Sequence, residues 1–146
     1  MKIDKNKIED CKKVPTFDQN GEKNGFLTEL FKKGNKTTAY LSGVKTGGFK
    51  GYHLHRIRAA NYVCIKGRMK IILYLRNEGR YVRKEYILES NKPQRLFIPP
   101  LVPTGLQNIA SEESWLINYP DPSYDPALLD EQIEYTQEEL DKGIVK

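Results

Sequence analysis

Histidine, cysteine, methionine and tryptophan are all scarce in this chain: two, two, two and one among 146 residues. Cys11 and Cys64 are too few and too far apart for a disulfide framework, and no CxxC spacing offers a zinc site, so free thiols are expected. Cys64 is expected to pack as a small hydrophobe. No stretch approaches the roughly 18 apolar residues of a membrane-spanning helix. The N-terminal Met1-Lys2-Ile3-Asp4-Lys5-Asn6-Lys7 has no apolar core of the kind a secretory signal needs. A cytoplasmic protein with no membrane partner is therefore expected. A basic cluster is missing too: the formal net charge is +5, but the 24 lysines and arginines are spread along the chain. The C-terminal third is locally acidic. A nucleic-acid surface usually gathers its cations on one face, so no nucleic-acid partner is expected. A phosphorylated small molecule needs only a few of these cations.

The chain does have a globular composition, 38% hydrophobic and 29% charged residues, and a length that suits one domain over 1–146. Both histidines fall one residue apart, in Gly51-Tyr52-His53-Leu54-His55. In a strand, residues at that spacing share a face. If that face lines a cavity, the pair can bind a metal, move a proton or hold an anion. A buried hydrogen-bonded pair without chemistry is the plainer alternative.

Strand signals run through most of the chain. Residues 1–15 read as an N-terminal strand or arm, and 15–25 as a turn-rich stretch with Asn20-Gly21 and Asn24-Gly25. Strands are then expected at 26–31, 37–44, 61–65, 69–75, 81–88 and 95–98, and a last strand of the sheet at 115–119. Lys66-Gly67-Arg68 marks a hairpin. Many short strands parted by glycine, proline and asparagine turns imply an all-β sandwich or barrel. Helix signals come only at the end. Asp125-Pro126 predicts a cap and first turn for 127–135, and Thr136 with Glu139 fits a capping box for a second short helix.

The sequence from about Gly25 to Tyr124 resembles the cupin superfamily, within it the sugar-nucleotide enzymes around dTDP-4-dehydrorhamnose 3,5-epimerase and the dTDP-4-keto-6-deoxyhexose 3,4-ketoisomerases. The carriers are Gly25-Phe26-Leu27-Thr28-Glu29, Lys50-Gly51-Tyr52-His53-Leu54-His55, Ile65-Lys66-Gly67, Leu96-Phe97-Ile98-Pro99-Pro100, Gly105-Leu106-Gln107-Asn108, and Asn118-Tyr119-Pro120 with Tyr124-Asp125. The resemblance implies an all-β fold, a double-stranded β-helix or cupin jelly roll, here with short C-terminal helices. It also implies a homodimer with N-terminal strands exchanged or paired. The generic cupin metal site adds a glutamate and a third histidine to the HxH pair. Ala60 and Thr104 stand at those positions, and a divalent ion usually takes at least three protein ligands, so no metal is expected.

In the metal-free branch, the resemblance places His53 where the epimerase has its catalytic base, which removes a proton from the carbon next to a 4-keto group. Imidazole titrates near working pH, as such a base should. His55 occupies the epimerase glutamine position and matches the second histidine of the ketoisomerases. Tyr40 matches their tyrosine from the preceding strand. Proton removal and return need no cofactor. Lys50, Arg56 and Arg58 are candidates for holding the diphosphate of a nucleotide-linked sugar, and Tyr62, Asn118 and Tyr119 for binding the rest. Taken singly, Tyr40, Tyr62 and Tyr119 fit core or rim aromatics as well, and Trp115 is expected in the core. Several family positions are changed: Asn24 and Lys50 stand for arginines, Ala60 for a lysine, Leu75 for an aspartate, and Asn118 near the acid tyrosine. A degenerate cupin that binds a sugar or sugar nucleotide without turning it over is the alternative reading.

Overall fold

Alternation of inward and outward residues shapes the strand stretches 52–55, 84–89, 96–98 and 114–116 of the computed structural model. It describes residues 6–17, 20–28, 30, 38–122 and 125–146, with the backbone alone at 16 and 24–28. Expectations resting on Glu29, on 31–37 and on Tyr124 lie outside the described residues. The strands are β1 (Lys7–Asp10), β2 (Lys13–Phe17), β3 (Lys23–Thr28), β4 (Tyr40–Val44), β5 (Phe49–His55) and β6 (Ala60–Lys66). They continue with β7 (Arg68–Asn77), β8 (Arg80–Glu89), β9 (Gln94–Ile98), β10 (Thr104–Asn108), β11 (Ser114–Asn118) and β12 (Gln132–Glu134), followed by α1 (Gln137–Asp141).

Two five-stranded antiparallel sheets form, in the orders β1-β9-β6-β11-β4 and β12-β5-β10-β7-β8, and β2 pairs with β3 in a separate two-stranded sheet. This is the jelly roll expected from the sequence. The main core lies between the sheets and includes Met69, Ile71, Leu73, Leu88, Leu96 and Leu116, each at most 1% exposed. Side chains of this size contribute about 1.5–3 kcal/mol each when fully buried. Cys64 belongs to the same core, and both cysteines are free and buried.

A second apolar cluster, Tyr52, Leu54, Ile72, Tyr74, Tyr135 and Leu140, forms where the C-terminal segment crosses the outside of the second sheet. Burial on both faces explains why β7 is apolar at successive positions from Ile71 to Leu75. Tyr52 and Tyr74 meet edge to face, with centroids 5.4 Å apart. The Tyr74 hydroxyl donates to Asp141 at 2.8 Å, which ties α1 to the sheet.

Several local expectations are corrected. Asn24 and Gly25 lie within β3 rather than in a turn, because strand pairing claims the backbone from Lys23 onward; among the described residues, the turn between β2 and β3 includes Asn20 and Gly21. The Gly105–Asn108 motif is part of β10, a strand not expected from its glycine and polar residues; it is flanked on both sides by β5 and β7. Trp115 is half-buried rather than core. Leu116 takes the inward position, so Trp115 faces outward, under the Lys66 ammonium at 4.6 Å and donating to Glu113.

The helix expected over 127–135 is absent. Asp125 accepts from the Ala127 amide and Leu128 N–H donates to the Asp125 carbonyl, so the cap signal closes only a turn. Asp130 then adopts φ 58° and Gln132–Glu134 pairs with His55–His53 as β12. Pairing on the β5 edge, with Tyr135 buried beyond it, outweighs the local helical preference. Ser114–Asn118 is consequently not the last strand. The second expected helix is present as α1, capped by Thr136 and Glu139 in a reciprocal capping box.

Candidate active site

Residue parity on β5 sends Tyr52 and Leu54 outward under the C-terminal segment and leaves His53 and His55 on the inner face. Gly51 lets β5 lie close to β10. A Cβ there would stand 2.7 Å from the Thr104 carbonyl oxygen, and its φ of +128° suits glycine alone. His53 pairs with Thr104, and the register shifts between Thr104 and Leu106, so the strand bends where the histidines are.

The opposite sheet supplies a matching row. Asn118 on β11 pairs with Tyr40 on β4 and with Tyr62 on β6, which aligns these three side chains across adjacent strands. One step further, Leu116 pairs with Ser42. The two rows enclose a cavity of about 220 Å³ lined by Tyr40, Ser42, Lys50, His53, His55, Tyr62, Thr104, Leu106, Leu116 and Asn118. Lys50 Nζ donates to Ser42 Oγ at 3.0 Å, and Asn118 Oδ1 accepts from the Asn61 amide. Of the sequence-derived candidates, Tyr40, Lys50, His53, His55, Tyr62 and Asn118 thus share one cavity. Arg56, Arg58 and Tyr119 do not line it. Arg56 donates from Nε to the Asp130 carbonyl, and Tyr119 caps the end of β11 by backbone bonds to Asn61.

The two histidines have different surroundings. His53 is 39% exposed in its side chain, with Nδ1 3.8 Å from Glu134 Oε1 and 3.3 Å from Gln132 Nε2. His55 is 27% exposed, and its Nδ1 lies 3.0 Å from Oε1 of Glu131, a carboxylate only 7% exposed. Arg58 Nε donates to the same oxygen at 2.8 Å, and the amides of Ile57 and Arg58 donate to Oε2. Burial alone would raise the Glu131 carboxyl, but these donors outweigh it and hold its pKa at about 2. Burial pushes His55 below the ordinary imidazole value; the Glu131 hydrogen bond opposes this and the Arg58 charge adds to it. Burial also lifts the Tyr62 hydroxyl to about 12, so it stays protonated and can donate.

Glu131 was missed in the sequence because its stretch reads as helix. The usable signal was the alternation of Glu131, Ile133 and Tyr135, which are more buried than the residues between them. The donor set does not suit a cupin metal. Ala60 has no ligand atom, Thr104 Oγ1 donates to the Val102 carbonyl, and Glu131 is engaged by four donors. Among the described residues, no three of histidine, cysteine, aspartate and glutamate group so as to hold a metal ion. Nor, among them, is any helix long and apolar enough to cross a membrane.

Solved structures share this fold. A dTDP sugar isomerase from Desulfovibrio desulfuricans G20 superposes with a TM-score of 0.75 at 16% identity, over 92% of this chain and 86% of that one. A variant 3'-monoepimerase from Streptomyces bikiniensis, in complex with dTDP, superposes with a TM-score of 0.73 at 13% identity, over 100% and 76%. A histidine-to-asparagine variant of a 3,4-ketoisomerase from Thermoanaerobacterium thermosaccharolyticum, in complex with TDP-4-keto-6-deoxyglucose, does so with a TM-score of 0.68 at 19% identity, over 97% and 96%. No curated protein matches the chain by sequence. The cupin jelly roll expected from the sequence is therefore the fold, shared with these dTDP-sugar isomerases and epimerases. The model of the polysaccharide biosynthesis C-terminal domain family matches residues 20–132, most of the chain, and the chain belongs to that family.

Proposed function

We propose that this protein is a metal- and cofactor-independent ketoisomerase or epimerase of a nucleotide-linked 4-keto-6-deoxyhexose, with dTDP as the nucleotide, serving cell-surface polysaccharide or deoxysugar synthesis. The observation that carries this reading is the placing of His53 and His55 on one wall of a cavity whose other wall presents Tyr40, Tyr62 and Asn118. The keto group acidifies the adjacent C–H. His53 takes that proton, the C–H electron pair moves into the carbonyl, and an enediolate forms. For ketoisomerisation, a proton moves between the two oxygens and His53 returns its proton to the former carbonyl carbon. For epimerisation, Tyr40 on the opposite wall gives a proton to the same carbon from the other face, and the proton held by His53 returns to Tyr40 through solvent. Protons balance in both, and no hydride is transferred.

His55 serves as the second proton carrier and Tyr40 as the acid or orienting group. Lys50 offers the cavity wall a cation for the diphosphate, and Tyr62 and Asn118 bind the sugar. Arg56, Arg58 and Tyr119, which also entered as binding candidates, lie off the cavity wall; Arg58 acts through His55 instead. The β2–β3 sheet shares no strand with the two larger sheets. This supports a homodimer with N-terminal strands exchanged or paired, for which light scattering is expected to give twice 16.9 kDa.

The test is to supply dTDP-4-keto-6-deoxyglucose and identify the product by NMR. A 3-keto isomer or a 3- or 5-epimer is expected, and its formation should be lost in His53→Asn. Asn118, which lines the cavity near the position where the resemblance expects an acid tyrosine, favours a second reading, a cupin that binds the sugar nucleotide without converting it. Saturable dTDP binding with unchanged substrate would establish that reading instead.

A further inference from the structure

Glu131 has no part in the chemistry assigned above, yet it is the most elaborately held carboxylate among the described residues. It immediately precedes β12, and its own carbonyl accepts from the Arg56 amide at 2.8 Å. Burying a carboxylate is unfavourable unless it is fully paired. Here two backbone amides, Arg58 and His55 supply the pairing.

An ionised carboxylate can only accept, so its 3.0 Å contact with His55 is a hydrogen bond only when Nδ1 carries the proton. The opposite tautomer would set a nitrogen lone pair against a full negative charge. Arg58 Nη2 also lies 3.1 Å from Nδ1. That closeness follows from geometry, because Arg58 Nε and His55 Nδ1 converge on the same oxygen, Oε1. With Nδ1 so engaged, Nε2 is the nitrogen left to face the cavity that His55 lines.

We infer that Glu131 is a positioning residue: it fixes His55 as the Nδ1–H tautomer and presents Nε2 to the cavity as a proton acceptor, while Arg58 balances the carboxylate charge. The balance matters, since a lone buried carboxylate would draw a permanent proton onto the imidazole. The charged and titratable groups around His55 are Glu131, Arg58 from the β5–β6 loop, His53 on its own strand, and Lys50, Tyr40 and Tyr62 on the cavity wall. The direction of the His55 shift, downward from burial and from the Arg58 and His53 charges, agrees with a neutral ring at rest.

The inference rests on the proposed function for the identity of the proton that Nε2 receives. In that reading His55 takes a substrate hydroxyl proton, Glu131 steadies the resulting imidazolium, and the proton is handed back to the other oxygen. Nothing is consumed.

The experiment is nitrogen-15 NMR of the histidine rings, simplified because the chain holds only two histidines and His53→Asn leaves His55 alone. The expected spectrum at neutral pH shows Nδ1 protonated and Nε2 unprotonated, with a titration midpoint below the ordinary 6.5. In Glu131→Gln the ring should shift toward the Nε2–H form, since Arg58 can then donate to Nδ1. That variant should lose about 10- to 100-fold in kcat, with KM changed less than about threefold, a part of what general acid–base groups supply. Glu131→Asp should restore part of kcat.

An Nε2–H ring in the wild type, or a Glu131→Gln protein with unchanged tautomer and kcat, would overturn the inference. If Glu131→Gln does not fold, the wild-type tautomer still decides it. If the wild type turns over no sugar nucleotide, the proposed function fails, while the tautomer continues to test Glu131 separately.

Discussion

Glu131 and the histidines set the terms at the scale of single residues. The Glu131 carboxyl falls from an ordinary 4.5 to about 2 in the folded chain, so its ionised form favours folding, and stability rises with pH wherever the unfolded chain binds more protons than the folded one. The sign follows: the contribution is complete above about 4.5 and disappears as pH falls through about 2. At about 1.4 kcal/mol per unit it amounts to about 3 kcal/mol. Urea unfolding from pH 6 down to pH 2 is expected to show this loss in the wild type and a shallower slope in Glu131→Gln. Parallel slopes would mean that the four donors do not stabilise the ionised form. His53 and His55 were legible as a same-face pair, since their spacing settles the matter once the strand is granted. Glu131 was not, because its role depends on a contact 76 residues away in sequence.

Elements follow the same division between local and distant causes. The β6–β7 hairpin was legible because Gly67 marks it locally: its φ is +74°, and a Cβ there would lie 2.2 Å from Ser114 Oγ. That hydroxyl accepts from the Arg68 amide and donates to Asn108 Oδ1 at 2.7 Å, so it cannot easily withdraw. Gly67→Ala should therefore cost about 2–4 kcal/mol, from the left-handed backbone and the overpacking together, read as a lower urea midpoint at unchanged slope. A midpoint within experimental scatter of the wild type would show that Ser114 yields. The capping box of α1 was likewise readable, its two residues three apart and self-contained. β10 and β12 were not. Both are strands because neighbouring strands claim their backbones, and neither Thr104–Asn108 nor Gln132–Glu134 carries the β-branched alternation that would announce it.

For the whole molecule, the jelly roll places two sheets face to face and leaves a cavity where β5 bends against β10, opposite β4, β11 and β6. Six of the nine residues singled out in the sequence meet there: Tyr40, Tyr62 and Asn118 in register across one sheet, His53 and His55 on the inner face of β5, and Lys50 near its start. Arg56 and Arg58 were read as cavity cations from nearness in sequence, but the chain leaves β5 at His55 and turns, which carries both away toward Asp130 and Glu131. The reaction proposed at this cavity is proton transfer by His53. It is tested most directly by dissolving dTDP-4-keto-6-deoxyglucose in heavy water with the wild type or His53→Asn and following deuterium entry next to the keto group. Enzyme-dependent exchange that falls about 100- to 10,000-fold in the variant is the expected result, the range general acid–base catalysis supplies. No exchange above the protein-free rate, or equal exchange with His53→Asn, would contradict it.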